Sequence, residues 1–369
     1  HACRIARWHR PAVAGALVFQ RRTGARINDR QAQSLFWAQV PSTMSPFLIS
    51  IVIPAHNRPQ LLLEAINSVT AQNYSNYEVV VIDDGSTPPI SHSALKDALG
   101  DRLTLHRHDS AQGVPKAKNA GINAAQGEVI LLLDDDDLLM PNSLEQIFHA
   151  FSKHPQIDCL FLGVRPFGAY HEGPEKSRKE AMKKILERTN PEKCDGLYFF
   201  SSTLFDALLD TVPIDFQRPA ARRSMWNITG GFDENALFSE SAWAIHAACI
   251  GTIALTEEAI TQWRIHGNNF GWPSGLELEE IRLRQIENSI SSSAQLMGKF
   301  VKKNQQWHER NRKIKKHHSE QLFSKAYYLY GKNRKEGMKA LAASSSLSFS
   351  KAHAKLWIKY FLSPLIARK

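Results

Sequence analysis

The sequence predicts an α/β fold, with a mostly parallel sheet sandwiched by helices and a helical extension at the C-terminus. Two observations predict the sheet. Short apolar runs alternate with segments of helical periodicity, and the runs stop at a proline or an acidic cluster. A third observation predicts the extension: from about residue 276 the apolar positions recur at helical spacing.

The elements follow in order. The run 48–53 is fully apolar apart from Ser50, is ended by Pro54, and reads as a buried strand. Over 58–72, Leu61, Leu62, Ala65, Ile66 and Val69 repeat at helical spacing, with Pro59 suited to a first turn. A second buried strand over 77–82 leads into Asp83-Asp84-Gly85-Ser86. A helix over 115–125 precedes the strand 127–133, four aspartates Asp134 to Asp137, and a helix opened by Pro141 that runs through Phe151. Strands and helices in this alternation build βαβ units, and such sheets take ligands beyond the carboxyl ends of their strands. Both acidic clusters are therefore expected in one crevice.

Composition narrows the function classes. The chain has 369 residues, 43% hydrophobic and 22% charged, which fits a folded protein with one large or two ordinary domains. No apolar run is long enough to span a bilayer. Cys3, Cys159, Cys194 and Cys249 are scattered without a CxxC pair, which argues against a disulfide framework or structural zinc and for a reducing compartment. The net charge of +10 divides unevenly: +6 over 1–43, +15 over 299–369 and −11 between them. An acidic body between basic ends is no footprint for nucleic acid. Residues 1–43 carry seven Arg, no Lys and no sustained periodicity, and a strand-like run follows Met44 at once. They are expected to be a non-native or disordered extension with Met44 as the natural start; an import peptide is the rival reading of the same composition.

Four adjacent carboxylates repel one another unless a cation neutralises them. Hard oxygen ligands beside a sheet edge suit Mn²⁺ or Mg²⁺ together with substrate phosphates, whereas the bland alternative is a solvated acidic turn. The chain has no GxxxxGK[ST] loop and no GxGxxG after a strand, so P-loop and dinucleotide-binding readings fail. A phosphatase-type pattern fails because Gly85 stands where its second Asp is needed.

Four motifs in order, Ile51-Val52-Ile53-Pro54-Ala55-His56-Asn57-Arg58, Val81-Ile82-Asp83-Asp84-Gly85-Ser86, Lys118-Asn119-Ala120-Gly121 and Leu133-Asp134-Asp135-Asp136-Asp137, resemble a family 2 glycosyltransferase of GT-A fold. The resemblance covers about 48–270. It implies that Pro54, Asn57, Asp83 and Asp84 line a nucleoside pocket for a nucleotide-diphospho-sugar, a UDP-sugar first among them. It places Lys118, Asn119, Asp134 and Asp135 with the donor, and Lys118 replaces the family's usual Arg, which keeps the charge and loses the bidentate geometry. Asp134-Asp135-Asp136 matches the DxD signature, with Asp134, Asp136 and His266, from Trp263-Arg264-Ile265-His266-Gly267, as metal partners and Asp137 behind them. The glycine-rich stretch Thr229 to Glu234 matches the acceptor loop, implying acceptor contacts at Gly230, Gly231, Asp233 and Glu234. One departure matters: Ser241 stands where the family carries its usual catalytic Asp, so Glu240 is the candidate base, the bland alternative being a residue at a helix start.

The implied organisation is a GT-A domain over 44–275, with a nucleotide-sugar half 44–165 and an acceptor half 166–275, and a basic helical region 276–369. The charged stretch 174–193 is helix-prone, either a flap or a solvated helix, and Arg218, Arg222 and Arg223 are expected as surface charge, the alternative being contact with a phosphate-bearing acceptor. Near the C-terminus, Leu356, Trp357, Ile358, Tyr360, Phe361 and Leu362 are flanked by Lys351, Lys355, Arg368 and Lys369, a composition suited to an anionic membrane surface, the alternative being simple packing onto the body. The function that follows is inverting, metal-dependent transfer to a saccharide or lipid-linked acceptor in polysaccharide or glycolipid synthesis, cytoplasmic and peripheral to the membrane face. The alternatives are a nucleotidyltransferase of related fold, whose GxGxR-like loop is missing after the first strand, and a catalytically weakened sugar-nucleotide-binding descendant.

Overall fold

The computed structural model describes residues 45–366 except 170, 235–238, 267, 270–271, 274–277 and 298–304, so the expected extension over 1–43 lies outside the described residues. The chain divides into two units, His1–Ser45 and Pro46–Lys369, and the architecture below is that of the second.

Strand β1 (Ile49–Ala55) leads through helix α1 (Pro59–Thr70) to β2 (Tyr77–Asp84), α2 (His92–Leu99), β3 (Leu103–His108) and α3 (Val114–Ala124). β4 (Val129–Leu132), the two-residue β5 (Leu138–Leu139) and α4 (Ser143–Lys153) complete the first half. The second half runs β6 (Cys159–Gly168), α5 (Glu172–Thr189), the hairpin β7 (Glu192–Cys194) and β8 (Leu197–Phe199), α6 (Thr203–Asp210), β9 (Pro219–Arg222), α7 (Arg223–Thr229), α8 (Ser239–Ile250) and β10 (Ile253–Ile265). The small pair β11 (Asn268–Asn269) and β12 (Trp272–Pro273) precedes four helices, α9 (Leu278–Leu296), α10 (Gln305–Leu329), α11 (Arg334–Leu347) and α12 (Lys351–Ile366).

The main sheet has the order β3-β2-β1-β4-β9-β6-β10-β8-β7, with β5 added to β10. β1 pairs in parallel with both β2 and β4, β6 pairs in parallel with β10, and β9 is antiparallel to β4 and β6. The expected parallel sheet is therefore observed, with one reversed strand joining its two halves. The chain winds outward from β1 to β3 and returns to the other side of β1 at β4, so the ends of β1 and β4 flank the switch point where such sheets open a crevice. Registry aligns Ala55 with Asp83, which keeps the ends of β1 and β2 level.

β1 is buried along its whole length, as its apolar run requires, and its one hydroxyl, Ser50 Oγ, is satisfied by the Gly127 N–H at 2.7 Å. β2 continues two residues beyond the expected 82, because Asp83 and Asp84 still pair with Arg107 and His108 of β3. Helix α8 is apolar nearly all round and is correspondingly buried. Its Trp243 stacks on Trp226 of α7 at 4.2 Å, and Phe232 leans on both rings. The charged helix expected over 174–193 is α5, anchored by buried Pro174, Met182, Ile185 and Thr189 and by Arg178, whose Nη2 lies 2.8 Å from buried Asp215.

The helical C-terminal region is also as expected. α10 and α11 break at Gly331, where φ is +80°, and Asn333 caps α11 by accepting from the Glu336 backbone N–H. Tyr360 of α12 reaches over Gly337 to donate to the Ala326 carbonyl at 2.5 Å; a Cβ at 337 would fall 1.8 Å from the Tyr360 hydroxyl, so only glycine fits.

Candidate functional site

The crevice begins where β1 ends. Asn57 turns the chain in the left-handed region at φ 54°. It donates its backbone N–H to Ser86 Oγ (3.0 Å) and accepts from the Thr87 N–H (2.7 Å), which ties the β1 turn to the Asp-Asp-Gly-Ser loop. His56 Nδ1 lies 2.7 Å from the Asp84 carbonyl, and the His56 N–H reaches toward Asp135 Oδ2 at 3.4 Å. The two acidic clusters thus meet across a single residue.

Asp83 accepts from the N–H groups of Ser86 (2.9 Å) and Ile90 (3.2 Å) and pairs with Arg107. Asp84 accepts from Gln112 (2.9 Å) and Gly113 (2.8 Å), with His108 Nδ1 at 2.7 Å. Burial alone would raise both carboxyls, but these hydrogen bonds outweigh it and hold them below the ordinary carboxylate range. The pair that the resemblance assigns to the nucleoside therefore also pins the loops that follow β2 and β3.

The aspartate run beyond β4 is divided among basic side chains. Lys118, 3% exposed, places Nζ 2.8 Å from Asp134 Oδ1, and Arg218 Nη2 lies 3.1 Å from Asp134 Oδ2. Against burial, these two cations hold Asp134 far below the usual range and its burial-opposed partner Lys118 is raised. Arg58 Nη1 spans Asp135 Oδ1 (3.1 Å) and Asp136 Oδ2 (2.8 Å), and His266 Nε2 is 3.0 Å from that same Asp136 oxygen. Burial pushes Asp135 up to about 6, helped by Asp136 and opposed by Arg58. Asp137 is fully buried, accepts from Arg218 (2.7 and 3.0 Å) and from the Arg264 N–H (3.0 Å), and is pushed up to about 7 by burial in spite of Arg218. Arg218 corrects a sequence expectation. It is no surface charge but a buried counter-ion, 7% exposed, because β9 runs antiparallel beside β4 and delivers its flanking residue into the acidic end.

The side that the resemblance assigns to the acceptor is built from α3, α7 and α8. The Asn119 amide, placed with the donor by the resemblance, is engaged by the glycine loop. It donates to the Phe232 carbonyl (2.9 Å) and to Glu234 Oε1 (3.1 Å), and it accepts from the Phe232 N–H (2.8 Å). Gly230 and Gly231 both have φ +74°, and a Cβ at 231 would lie 2.5 Å from Asn119 Oδ1, so side-chain-free residues let the loop close on that amide. A cavity of about 390 Å³ opens beside Gly230, Gly231, Asn119, Asn227 and Glu234. Asp233 follows Phe232 and is half-buried. At the start of α8, Glu240 Oε1 lies 2.9 Å from Lys118 Nζ, while Ser241 is 3% exposed and turned into the core. Glu240 is thus the α8 carboxylate that reaches the crevice.

Arg58, Arg107 and His108 are assigned no role by the sequence. The signal for them was indirect: buried acids demand counter-charges, and Arg58 stands directly after Asn57.

The family model described as glycosyl transferase family 2 matches residues 50–242, more than half of the chain and every candidate residue except His266. The chain belongs to glycosyl transferase family 2. The chain is 28% identical over 228 residues to an uncharacterized glycosyltransferase of Rickettsia bellii, a match that covers 60% of the chain and 29% of the relative. It is 44% identical over 98 residues to the putative colanic acid biosynthesis glycosyl transferase WcaA of Escherichia coli, covering 26% of the chain and 35% of that protein. The matches thus span well under half the length of these curated relatives. Residues 1–349 of TarS from S. aureus, solved in complex with UDP-GlcNAc, share the fold with a TM-score of 0.50 at 15% identity, over 85% of this chain and 79% of that one. The architecture is that of a GT-A glycosyltransferase.

Proposed function

We propose that this transferase moves a sugar, with inversion, from a nucleotide-diphosphate donor to a saccharide or lipid-linked acceptor in polysaccharide or glycolipid synthesis. The observation that supports it is the placement of Lys118, which touches Asp134 of the donor half and Glu240 of the acceptor half at 2.8 and 2.9 Å. One buried ammonium thereby ties the proposed leaving-group side and the candidate base into one crevice. A single displacement needs a base within reach of the donor and no covalent nucleophile.

In this reading Pro54, Asn57, Asp83 and Asp84 line the nucleoside pocket, and Lys118 stabilises charge on the departing diphosphate. Glu240 takes the proton of the acceptor hydroxyl as its oxygen bonds to the anomeric carbon and the bond to the diphosphate breaks. Gly230 and Gly231 let the acceptor approach the backbone, and Asp233 and Glu234 accept its hydroxyls. Asp134, Asp136 and His266 offer the carboxylate and imidazole donors that suit Mn²⁺ or Mg²⁺, with His266 Nε2 already 3.0 Å from Asp136 Oδ2. Such an ion, when bound, supplies charge neutralisation to the diphosphate. The division into a transferase domain over 44–275 and a basic helical region over 276–369, with anionic membrane contact through the latter, belongs to the same proposal. No helix among the described residues is long and apolar enough to cross a membrane.

A panel of nucleotide sugars with Mn²⁺, scored for nucleoside-diphosphate release and for the anomeric configuration of the product by NMR, tests the reading. UDP-sugars lead the panel because the similar TarS fragment binds UDP-GlcNAc. Release of nucleoside diphosphate with an inverted product is expected. Pyrophosphate release from a nucleoside triphosphate and a sugar phosphate would establish the nucleotidyltransferase alternative, and donor binding without turnover would establish the weakened descendant favoured by Ser241.

A further inference from the structure

Helix α12 has two faces of different chemistry. His353, Leu356 and Tyr360 are buried, and Leu356 and Tyr360 pack against Ala326, Ala340 and Leu341 of α10 and α11. The opposite face exposes Lys351, Lys355, Ile358 and Leu362 along one line, with Lys359 and Phe361 on its flanks. Ile358 is 56%, Phe361 60% and Leu362 46% exposed, and Tyr327 of α10 is 61% exposed. They form one patch: the Trp357 and Phe361 rings stack at 5.6 Å, and Lys359 Nζ sits 5.8 Å from the Tyr327 ring centre. Single exposed apolar residues are ordinary, but aromatic and branched side chains gathered among lysines are not.

We propose that this patch docks the protein on an anionic lipid bilayer. The proposal rests on, and deepens, the membrane contact in the function proposed above by naming its surface. Charge selects the occupant. α12 has three lysines and no acidic residue, and the stretch 299–369 carries +15, so anionic headgroups meet the lysines while the ring edges and aliphatic tips enter the interface. A second copy of the chain would set these lysine rows against each other. The order along the helix adds a direction, since the lysines of the outer line come first and Ile358 and Leu362 follow. The C-terminal end of the exposed face therefore sits deeper than its start. At 16 residues, α12 is too short to cross the bilayer core and lies in its surface.

The test is co-sedimentation of the full chain with vesicles of phosphatidylcholine alone or of equal parts phosphatidylcholine and phosphatidylglycerol. Wild type is expected on the anionic vesicles and not on the neutral ones. The triple variant Ile358→Ser, Phe361→Ser, Leu362→Ser and the charge variant Lys351→Glu, Lys355→Glu, Lys359→Glu are each expected to lose binding by about tenfold or more. Both sets of side chains are exposed, so circular dichroism and Tm should stay at wild-type values. Nucleoside-diphosphate release with a soluble acceptor should also be unchanged, which separates failure of the docking surface from failure of the proposed chemistry. Equal sedimentation of wild type and the serine variant on anionic vesicles would overturn the proposal. So would absence of wild-type binding to either vesicle, or a dimer in solution that the serine variant dissolves.

Discussion

Three basic side chains share the aspartates, and they differ in freedom. Lys118 and Arg218 have side chains 3% and 8% exposed, whereas that of Arg58 is 36% exposed and is the one able to swing away. Arg58 sits 2.8 Å from Asp136, so it competes with any cation drawn to that oxygen. Arg58→Ala should tighten Mn²⁺ binding by roughly tenfold, the factor that goes with one pKa unit of electrostatic change. Electron paramagnetic resonance of free Mn²⁺ measures this without turnover, and unchanged affinity would remove Asp136 from the metal set. Glu240→Gln removes the candidate base while Lys118 keeps Asp134. Turnover should fall at least ~100-fold, the usual scale for a general base, with donor affinity retained in a calorimetric titration. At this scale the acids were legible and their partners were not. Asp134 to Asp137 announce themselves as a run, but Arg218 lies far away in sequence and reaches them only because β9 is inserted, reversed, beside β4.

The helices of the C-terminal region bury histidines on hydroxyl partners. Ser289 Oγ is 2.6 Å from His317 Nε2, Ser293 Oγ is 2.9 Å from His318 Nδ1, and Ser344 Oγ is 2.8 Å from His353 Nε2. Burial lowers all three below the ordinary 6.5. Asp210 and Glu320 oppose this only partly at His317, and His317 adds to the lowering at His318. Below about pH 6.5 the unfolded chain binds protons that the folded helices refuse. Stability is thus fully present above that pH and is lost as the pH falls. Thermal denaturation followed by circular dichroism should show Tm dropping by on the order of a few degrees between neutral pH and about 5.5. His317→Gln should make that fall shallower. The helices themselves were legible because their apolar positions keep a helical period. The histidine contacts were not, since α9 and α10 meet across a separation that no local pattern records. β9 was missed for a related reason: four residues, two of them alanine, give too little alternation to mark a strand.

For the whole molecule, the net charge conceals an acidic body and a basic end, and within the body Asp83, Asp84 and Asp134 to Asp137 gather at one crevice. A cation and an anionic donor that bind only the folded chain should stabilise it by mass action. Mn²⁺ with a productive UDP-sugar at about a hundred times its dissociation constant should contribute roughly 2.7 kcal/mol, read as a higher Tm than with either alone. A flat Tm across the whole donor panel would argue against a nucleotide-sugar site. The fold class was legible because the strand-end motifs and the sheet topology obey the same rule, that ligands gather where strands finish.

Lys118 carries one more consequence. Because a single side chain from α3 pairs with Asp134, just past β4, and with Glu240 at the start of α8, the N-terminal and C-terminal parts of this fold are not interchangeable cassettes. A chimera that takes its C-terminal half from a relative with a different residue at the Glu240 position inherits a lysine with one partner missing. Positions 118, 134 and 240 must travel together when acceptor specificity is redesigned or when it diverges in evolution.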